Sequence, residues 1–286
     1  MKLNRKLLVC TVLFLFVLLG GLIPAQAEEK AAEPPKAAEA PKPTATVTTD
    51  ILNQYVFRGL ALSQGNSAVI QPGFTAAYMG FSLNIWGNFD THEKTHNPNL
   101  IAKHNGDAAW NETDITTSYT RELFPNFSAT VGNVYYSLVN STYDTDEVFF
   151  GGAYTFPWLT VGMTAYREVL GHFPGWWVQL DLTKSFPLPY IEGMSLDVGA
   201  TFGYMIMEDS SKTVLNLDGR TGEYSEPHSG TIQAALKIPF CKYFTVAPKV
   251  GVAFPLSDTA SEFIKANSFD KDDVHVFGGI NLTASF

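Results

Sequence analysis

Short segments in which apolar residues alternate with polar or small ones follow one another from Ala45 to the C-terminus. The clearest is the last, DVHVFGGINLTASF, where Val276, Ile280 and Leu282 share a face with the terminal Phe286. Side chains two residues apart point to the same face of a β-strand, so this period predicts strands. Beyond the N-terminal segment, no apolar run reaches the roughly 20 residues that a membrane helix needs, and no helical period is found. We therefore expect an all-β domain.

Residues 1–27 have the three parts of a secretory signal peptide. Lys2, Arg5 and Lys6 precede the apolar run LLVCTVLFLFVLLGGLI, and AQA ends the segment as a small-x-small cleavage site. An uncleaved membrane anchor is the alternative, whereas Cys10 lies inside the apolar run and does not fit a lipoprotein. Cleavage would remove three of the 19 basic residues and none of the 28 acidic ones, leaving a net charge of −12. This charge argues against binding to nucleic acid.

Residues 28–44, EEKAAEPPKAAEAPKPT, are rich in Ala, Pro, Glu and Lys. They contain no apolar stripe that could form a core, so we expect a disordered or semi-extended periplasmic linker. The linker is either a spacer or a tether to a periplasmic partner or a plug. Only Cys241 remains after cleavage, so no intramolecular disulfide is possible.

Twelve alternating segments make up residues 45–286. They lie near 45–58, 67–79, 81–90, 110–120, 126–138, 146–156, 158–168, 175–185, 194–206, 228–238, 243–254 and 274–286. The fifth alternates poorly, which leaves its register open. The joins after even-numbered segments are short and often pair a proline with an aromatic residue, whereas most of the others are longer and polar. Short turns at one end, on the side of both termini, and long loops at the other are typical of outer-membrane barrels.

A soluble β-sandwich also alternates, but it turns its apolar face inward. A membrane barrel has the opposite order, with apolar residues toward lipid and polar residues toward the lumen. The signal peptide, the strand that ends on Phe286 and the alternation of loop lengths favour the barrel. An open sheet edge in lipid would leave unpaired backbone groups, so the sheet must close. We predict a closed antiparallel transmembrane β-barrel of twelve strands in the lipid of a Gram-negative outer membrane.

The stretch QYVFRGLALSQGNSAVIQPGFTAAYMGFSLNIWGNFD, residues 54–90, resembles the start of Gcw-chp, a conserved-hypothetical family of Gram-negative proteins. The matching residues are Tyr55, Phe57, Arg58, Gly59, Ser63, Gln64, Gln71, Gly80, Phe81, Trp86 and Asp90. The resemblance implies an outer-membrane barrel and gives no reaction or substrate. The last strand resembles the C-terminal signal of outer-membrane barrels. That likeness implies recognition by the barrel-assembly machinery through Phe286, Leu282 and Ile280.

We expect the polar face of each strand to line the lumen, because a basic residue on the lipid face at mid-depth costs about 2–4 kcal/mol. The candidate lumen residues are Asp50, Gln54, Arg58, Asn84, Trp86, Asp90, Glu112, Asp114, Glu147, Glu168, Asp181, Asp197, Lys237 and Lys249. Acids outnumber bases, which indicates a narrow acid-lined channel for small polar or cationic solutes. The alternative is a structural or assembly barrel whose lumen is filled by ion pairs and whose N-terminal tail binds a partner.

Arg58 is the residue of the first segment that most needs a partner. We expect it at the outer end of the first strand, facing the lumen and paired with Asp90 or Glu112. On that strand, Tyr55 and Phe57 would face lipid.

An outer-membrane enzyme is a further alternative. His228 and Ser229 are adjacent, and neighbouring strand residues point to opposite faces, so we do not expect them to form a catalytic pair. His92, His96 and His104 share one long segment, but their spacing fits no closed zinc site, so a solvated loop is expected. The sequence therefore predicts no catalytic residues, no metal and no cofactor.

Overall fold

The computed structural model describes residues 42–64, 67–93, 107–139, 144–170, 175–208 and 224–286. The predicted signal peptide and nearly all of the predicted linker lie outside the described residues. The strands in chain order are β1 (Thr44–Leu52), β2 (Val56–Phe57), β3 (Leu60–Ala61), β4 (Val69–Tyr78), β5 (Phe81–Asp90), β6 (Ala109–Phe124), β7 (Phe127–Leu138), β8 (Thr145–Thr155), β9 (Thr160–Glu168), β10 (Gly175–Pro187), β11 (Ser195–Met207), β12 (Tyr224–Pro239), β13 (Phe244–Pro255) and β14 (His275–Ser285).

Twelve of these strands close into one antiparallel barrel, in which β1 pairs with both β4 and β14. The strands β2 and β3 form a separate hairpin. Closure satisfies the backbone groups that an open edge would leave unpaired in lipid. The predicted fold class is confirmed, including the number of barrel strands.

The two ends of the barrel differ in their connections. At one end, which we call the short-turn end, consecutive strands are joined by turns such as Met79–Gly80 and Pro125–Asn126. Both termini of the barrel are at this end, where backbone hydrogen bonds join Ala45 to Phe286. At the other, which we call the loop end, the connections are longer, notably residues 53–68 and 256–274. We call these two connections the first loop and the last loop.

The outer surface of the barrel is apolar. Outward side chains such as Val47, Ile85, Val131 and Val250 are between 42% and 55% exposed, while the inward faces carry the polar residues. Aromatic side chains gather at the short-turn end, where interfacial girdles belong; they include Phe81, Phe124, Phe156, Trp158, Phe240, Tyr243 and Phe286. This order is that of a transmembrane barrel, because a soluble sandwich would bury the apolar face.

The fifth segment, now β7, has a defined register. Val134 pairs with Glu147 of β8, and Tyr136 pairs with Asp114 of β6, so both side chains face the lumen with these acids. Val131 lies on the lipid side and is 55% exposed. The alternation is weak because the inward face of this strand also carries large apolar and aromatic residues.

The last loop contains a helix, α1 (Asp258–Asn267), where the sequence predicts none. Ser257 caps it by accepting a hydrogen bond from the backbone N–H of Ala260, and Phe263 and Ile264 are buried. Only ten residues long, α1 buries a single turn of apolar side chains, so its period is weak in the sequence. Among the described residues, no helix has the length and hydropathy needed to cross a membrane.

The helix is tied back to the loop that follows it. Asp273 accepts a hydrogen bond from the Ser261 hydroxyl and lies 3.3 Å from the ammonium group of Lys265. The hydroxyl and the ammonium together hold the pKa of Asp273 below its ordinary value. Ionised Asp273 therefore stabilises the folded last loop.

The first predicted segment is not one strand. β1 ends at Leu52, and the chain then turns into the lumen to form the β2–β3 hairpin. Tyr55, expected to face lipid, is instead 8% exposed inside the barrel, and Phe57 packs edge-on to Tyr136 of β7. That expectation was wrong because alternation fixes side-chain faces only while the chain remains in the wall.

Candidate functional site

The first loop crosses the lumen at the loop end and places Arg58 at its tip. Arg58 has φ 49° and Gly59 φ 87°, so two consecutive residues are in the left-handed region. Gly59 packs so closely on β12 that an added Cβ would lie 2.6 Å from the Cβ of Ser229. This tight turn is what allows β2–β3 to fit inside the barrel.

Arg58 reaches the wall opposite its own strand and forms an ion pair with Glu147 of β8. Its two terminal nitrogens each donate to one carboxylate oxygen at 2.7 Å. The Tyr136 hydroxyl also donates to Glu147, at 3.1 Å. The sequence predicts Asp90 or Glu112 as the partner of Arg58. That was wrong because the tip of the loop extends past the neighbouring strands to the far wall.

Three aromatic rings surround the guanidinium group of Arg58. Its central carbon lies 4.8 Å from the ring centroid of Phe57, 5.1 Å from that of Trp177 and 5.2 Å from that of Tyr166. Trp177 is fixed in turn by its indole N–H, which donates to Gln179. A carboxylate fork and ring faces at these distances are the two arrangements that bind guanidinium most strongly.

Two further acids lie beside this pair on β6. The Tyr55 hydroxyl donates a hydrogen bond to Glu112, and Asp114 is close enough to Glu112 that the two acids cannot both be ionised without repulsion. Among the described residues, the Oδ1 atom of Asp114 is buried and has no hydrogen-bond partner. Glu168 of β9 pairs in register with Glu147 and accepts a hydrogen bond from the Thr145 hydroxyl at 3.2 Å. Within the described ranges, four acidic side chains therefore lie on the inner wall around Arg58: Glu112, Asp114, Glu147 and Glu168.

A second set of contacts joins the first loop to the last loop. Gln54 donates to Asp270 at 2.8 Å, and the same carboxylate lies 3.1 Å from Nδ1 of buried His275. The hydroxyl of Ser268 accepts a hydrogen bond from the backbone N–H of Ala61. An apolar cluster lies under this contact and comprises Leu60, Met207, Tyr224, Phe263 and Ile264. The two loops thus form one unit inside the loop end, which we call the plug.

The remaining predicted lumen residues lie on the inner face. Lys249 pairs with Asp50 at 2.8 Å, and Lys237 pairs with Asp197 at 2.6 Å toward the short-turn end. Asp181 accepts hydrogen bonds from Gln179 and Thr201. The other three lie on β5. Asn84 donates a hydrogen bond to the hydroxyl of Thr75, and Trp86 packs against the ring of Tyr55. Asp90 is buried at the end of the strand.

Spaces remain inside the barrel on the short-turn side of the plug. One of about 240 Å³ borders Arg58, Tyr136, Tyr166, Trp177 and Thr231. Another of about 310 Å³ is lined by small residues and by Phe149, Tyr166 and Asp181. A larger cavity of about 590 Å³ lies at the short-turn end beside Lys249 and Asp197. The plug therefore occupies the lumen at the loop end, and the cavities lie between the plug and the short-turn end.

His228 and Ser229 both face inward, which corrects the expectation that they lie on opposite faces. A β-bulge opposite Gly203 and Tyr204 shifts the register of β12 at this point, and both residues are buried. Nδ1 of His228 lies 2.7 Å from the hydroxyl of Tyr224. Ser229 packs against Gly59, so the first loop covers the pair.

The predicted histidine loop is described only in part. His92 is described, whereas His96 and His104 lie outside the described residues. Within the part of the chain that the structure describes, no three His, Cys, Asp or Glu side chains are grouped as metal ligands.

The residues predicted to direct assembly lie on the outer surface. Ile280 and Leu282 are 45% and 44% exposed on the lipid face of β14. Phe286 stacks on Tyr243 of the preceding turn with ring centroids 5.7 Å apart.

No family model and no curated protein matches this chain. Among solved structures, the chain is similar to a KdgM porin, with 10% identity, a TM-score of 0.47 and coverage of 86% of this chain and 99% of that one. It is also similar to the COG4313 outer membrane channel from Pseudomonas putida F1, with 9% identity, a TM-score of 0.45 and coverage of 90% and 100%. A third is LpxR from Salmonella typhimurium, with 10% identity, a TM-score of 0.42 and coverage of 86% and 99%. Likeness of this degree carries no information about what the lumen binds.

The aromatic cage around Arg58 was not predicted from the sequence. Phe57 and Trp177 were not among the candidates, although Trp177 follows the outward Trp176 and shares its face with Gln179 and Asp181. That alternation could have pointed to Trp177. No local pattern could have pointed to Phe57, because its position depends on the path of the first loop.

Proposed function

We propose that the chain is an outer-membrane channel for small polar or cationic solutes, with a narrow acid-lined lumen. The observation that carries this proposal is the charge of the inner wall. Arg58, Lys237 and Lys249 are each already paired with an acid, and further carboxylates line the same wall. Rings of carboxylates favour cations over anions.

Planar-bilayer recordings of the refolded full-length chain test the proposal. We expect discrete conductance steps, with a reversal potential that favours cations in a salt gradient. The recordings should include Arg58→Ala, because Arg58 holds the plug across the lumen. Heat-modifiable migration on gels should first show that both proteins are folded. Absence of conductance steps from both folded proteins would then contradict a channel.

Two further variants address selectivity. Asp181→Asn removes one inner carboxylate and should lower the cation preference, whereas Glu192→Gln changes an exposed acid in a short turn and should leave it unchanged. Equal selectivity in all three proteins would mean that the inner acids do not set it.

A second candidate function is a structural or assembly barrel with a filled lumen, whose tail of residues 28–44 binds a periplasmic partner. The plug favours it, because apolar clusters occupy the loop end. Deleting residues 28–44 should then remove specific co-purifying proteins, and an unchanged set would count against it. We propose no catalytic role, since the first loop covers the His228 and Ser229 pair.

We also propose that assembly depends on the last strand. Phe286, Leu282 and Ile280 would be recognised by the barrel-assembly machinery before the barrel closes. The resemblance of residues 54–90 to Gcw-chp supports the same compartment.

A further inference from the structure

We propose that the barrel wall around Glu147 is a receptor site for guanidinium and substituted ammonium cations, and that Arg58 occupies it in place of such a solute. The first loop would then act as an internal competitor for a cation-binding site. The effect of displacing Arg58 rests on the proposed channel function, because moving Arg58 out of the site would open the lumen to solutes.

The receptor is built by the wall and not by the loop. Glu147, Tyr136, Tyr166 and Trp177 lie on four consecutive strands of the closed barrel, β7 to β10. Their positions are fixed by the backbone ladders of those strands. Because Arg58 comes from the far side of the barrel, its removal leaves the carboxylate and the rings in place.

The chemistry of this wall matches a planar cation. Glu147 accepts two parallel hydrogen bonds from one guanidinium group at 2.7 Å, and the Tyr166 and Trp177 rings lie within 5.2 Å of its centre. A free guanidinium can make the same two bonds and ring contacts. A quaternary ammonium such as tetramethylammonium has no N–H donor and can make only the ring contacts and the charge attraction, so it should bind more weakly.

The surroundings favour a cation over a neutral or anionic solute. Glu112 and Asp114 lie beside the site, and the buried Oδ1 of Asp114 has no hydrogen-bond partner among the described residues. Without Arg58, the Glu147 carboxylate would lose the guanidinium group that balances its charge. An entering cation would replace that missing charge.

A solute in the lumen can approach the site from the short-turn side. The space of about 240 Å³ borders Arg58 and the rings of Tyr136, Tyr166 and Trp177. A solute in this space would therefore contact the guanidinium group without first displacing the plug. The hairpin that carries Arg58 has only two residue pairs in its ladder, so its own backbone holds it weakly.

Calorimetric titration of the refolded full-length chain with methylguanidinium chloride, at concentrations well below denaturing, tests this site. We expect Arg58→Ala to bind the probe at least tenfold more tightly than the wild type, in which the site is filled. Adding Glu147→Gln to Arg58→Ala should remove that gain. Tetramethylammonium should bind Arg58→Ala more weakly than methylguanidinium, and sodium chloride at equal ionic strength should give no saturable heat.

Arg167→Ala is the matched control, because Arg167 makes the same two-point pair with Glu208 and lies 5.5 Å over the ring of Trp176 on the outside of the barrel. It should bind methylguanidinium no better than the wild type. Equal binding by Arg58→Ala and the wild type, or a gain that survives Glu147→Gln, would overturn the proposal. If Arg58→Ala does not fold, the probe is added during refolding: a higher folded yield supports the site, and an unchanged yield overturns it.

The binding measurement does not depend on conductance. Saturable binding by Arg58→Ala with silent bilayers in every variant would refute the channel and keep the receptor. Conductance without saturable binding by Arg58→Ala would refute the receptor and keep the channel. If both the receptor site and the channel exist, methylguanidinium should raise the open probability of the wild-type channel. It should raise the open probability of Arg167→Ala by the same amount.

Discussion

The guanidinium group of Arg58 meets the carboxylate of Glu147 through two 2.7 Å hydrogen bonds, although the two residues come from opposite sides of the barrel. Both side chains are largely buried, with 18% and 11% of their surfaces exposed. The pair therefore ties the first loop to the far wall and sets the position of the plug.

Removing one member of this pair should destabilise the protein strongly. Glu147→Gln leaves the Arg58 guanidinium buried without its countercharge, and breaking a buried pair in this way costs about 3–5 kcal/mol. The free energy of unfolding in urea, measured in detergent, should fall by that order. The double variant Arg58→Ala with Glu147→Ala should lose less than the two single variants added together. Strict additivity would contradict a direct coupling.

Adding a methyl group at Gly59 should displace the first loop. Alanine is strained at φ 87°, and its Cβ would meet Ser229 at 2.6 Å, so a loss of about 1–3 kcal/mol is expected. Hydrogen exchange of residues 54–64 should rise. Gly193→Ala is the control, because φ is 79° there as well but the residue lies in a short turn. Equal protection of the first loop in both variants would contradict the contact.

Acid should loosen the last loop through Asp273. Its pKa in the folded protein lies below the unfolded value of about 3.9, so ionised Asp273 contributes stability at neutral pH that is lost as the pH falls through the folded pKa. Hydrogen exchange of α1 should therefore increase at the acid end of a pH series. Asp273→Asn should remove that component. An identical pH profile in the variant would refute the assignment.

Loss of the terminal aromatic residue should impair assembly. Phe286→Ala removes the ring that stacks on Tyr243 and the last apolar residue of β14. We expect a smaller heat-modifiable fraction in the outer membrane of expressing cells. Val276→Ala changes an outward residue at the other end of the same strand and should have a weaker effect. Equal fractions in the two variants would show that position on the strand does not matter.

Cleavage after Ala27 should give a mature chain that begins at Glu28. The intact mass of the protein purified from outer membranes measures this directly. A mass that includes the first 27 residues would favour the uncleaved anchor.

The period of the sequence predicted the wall of this barrel, because the face of a side chain in a strand depends only on its place in the alternation. Asp50, Asp181, Asp197 and Lys249 could therefore be assigned to the inner face without knowledge of their partners. Loop lengths likewise indicated which end of the barrel holds both termini. The same rule failed at Tyr55, Phe57 and His228, where the chain leaves the wall or a bulge interrupts the alternation.

What occupies the lumen was decided only by the tertiary structure. The pairing of Arg58 with Glu147 joins residues 89 positions apart, and it requires both the left-handed turn at Gly59 and the closure of the barrel to bring β8 opposite β1. The docking of α1 on the first loop needs the same closure. A local pattern records which way a side chain points from its own strand, whereas the distance between opposite walls depends on how all twelve strands are arranged.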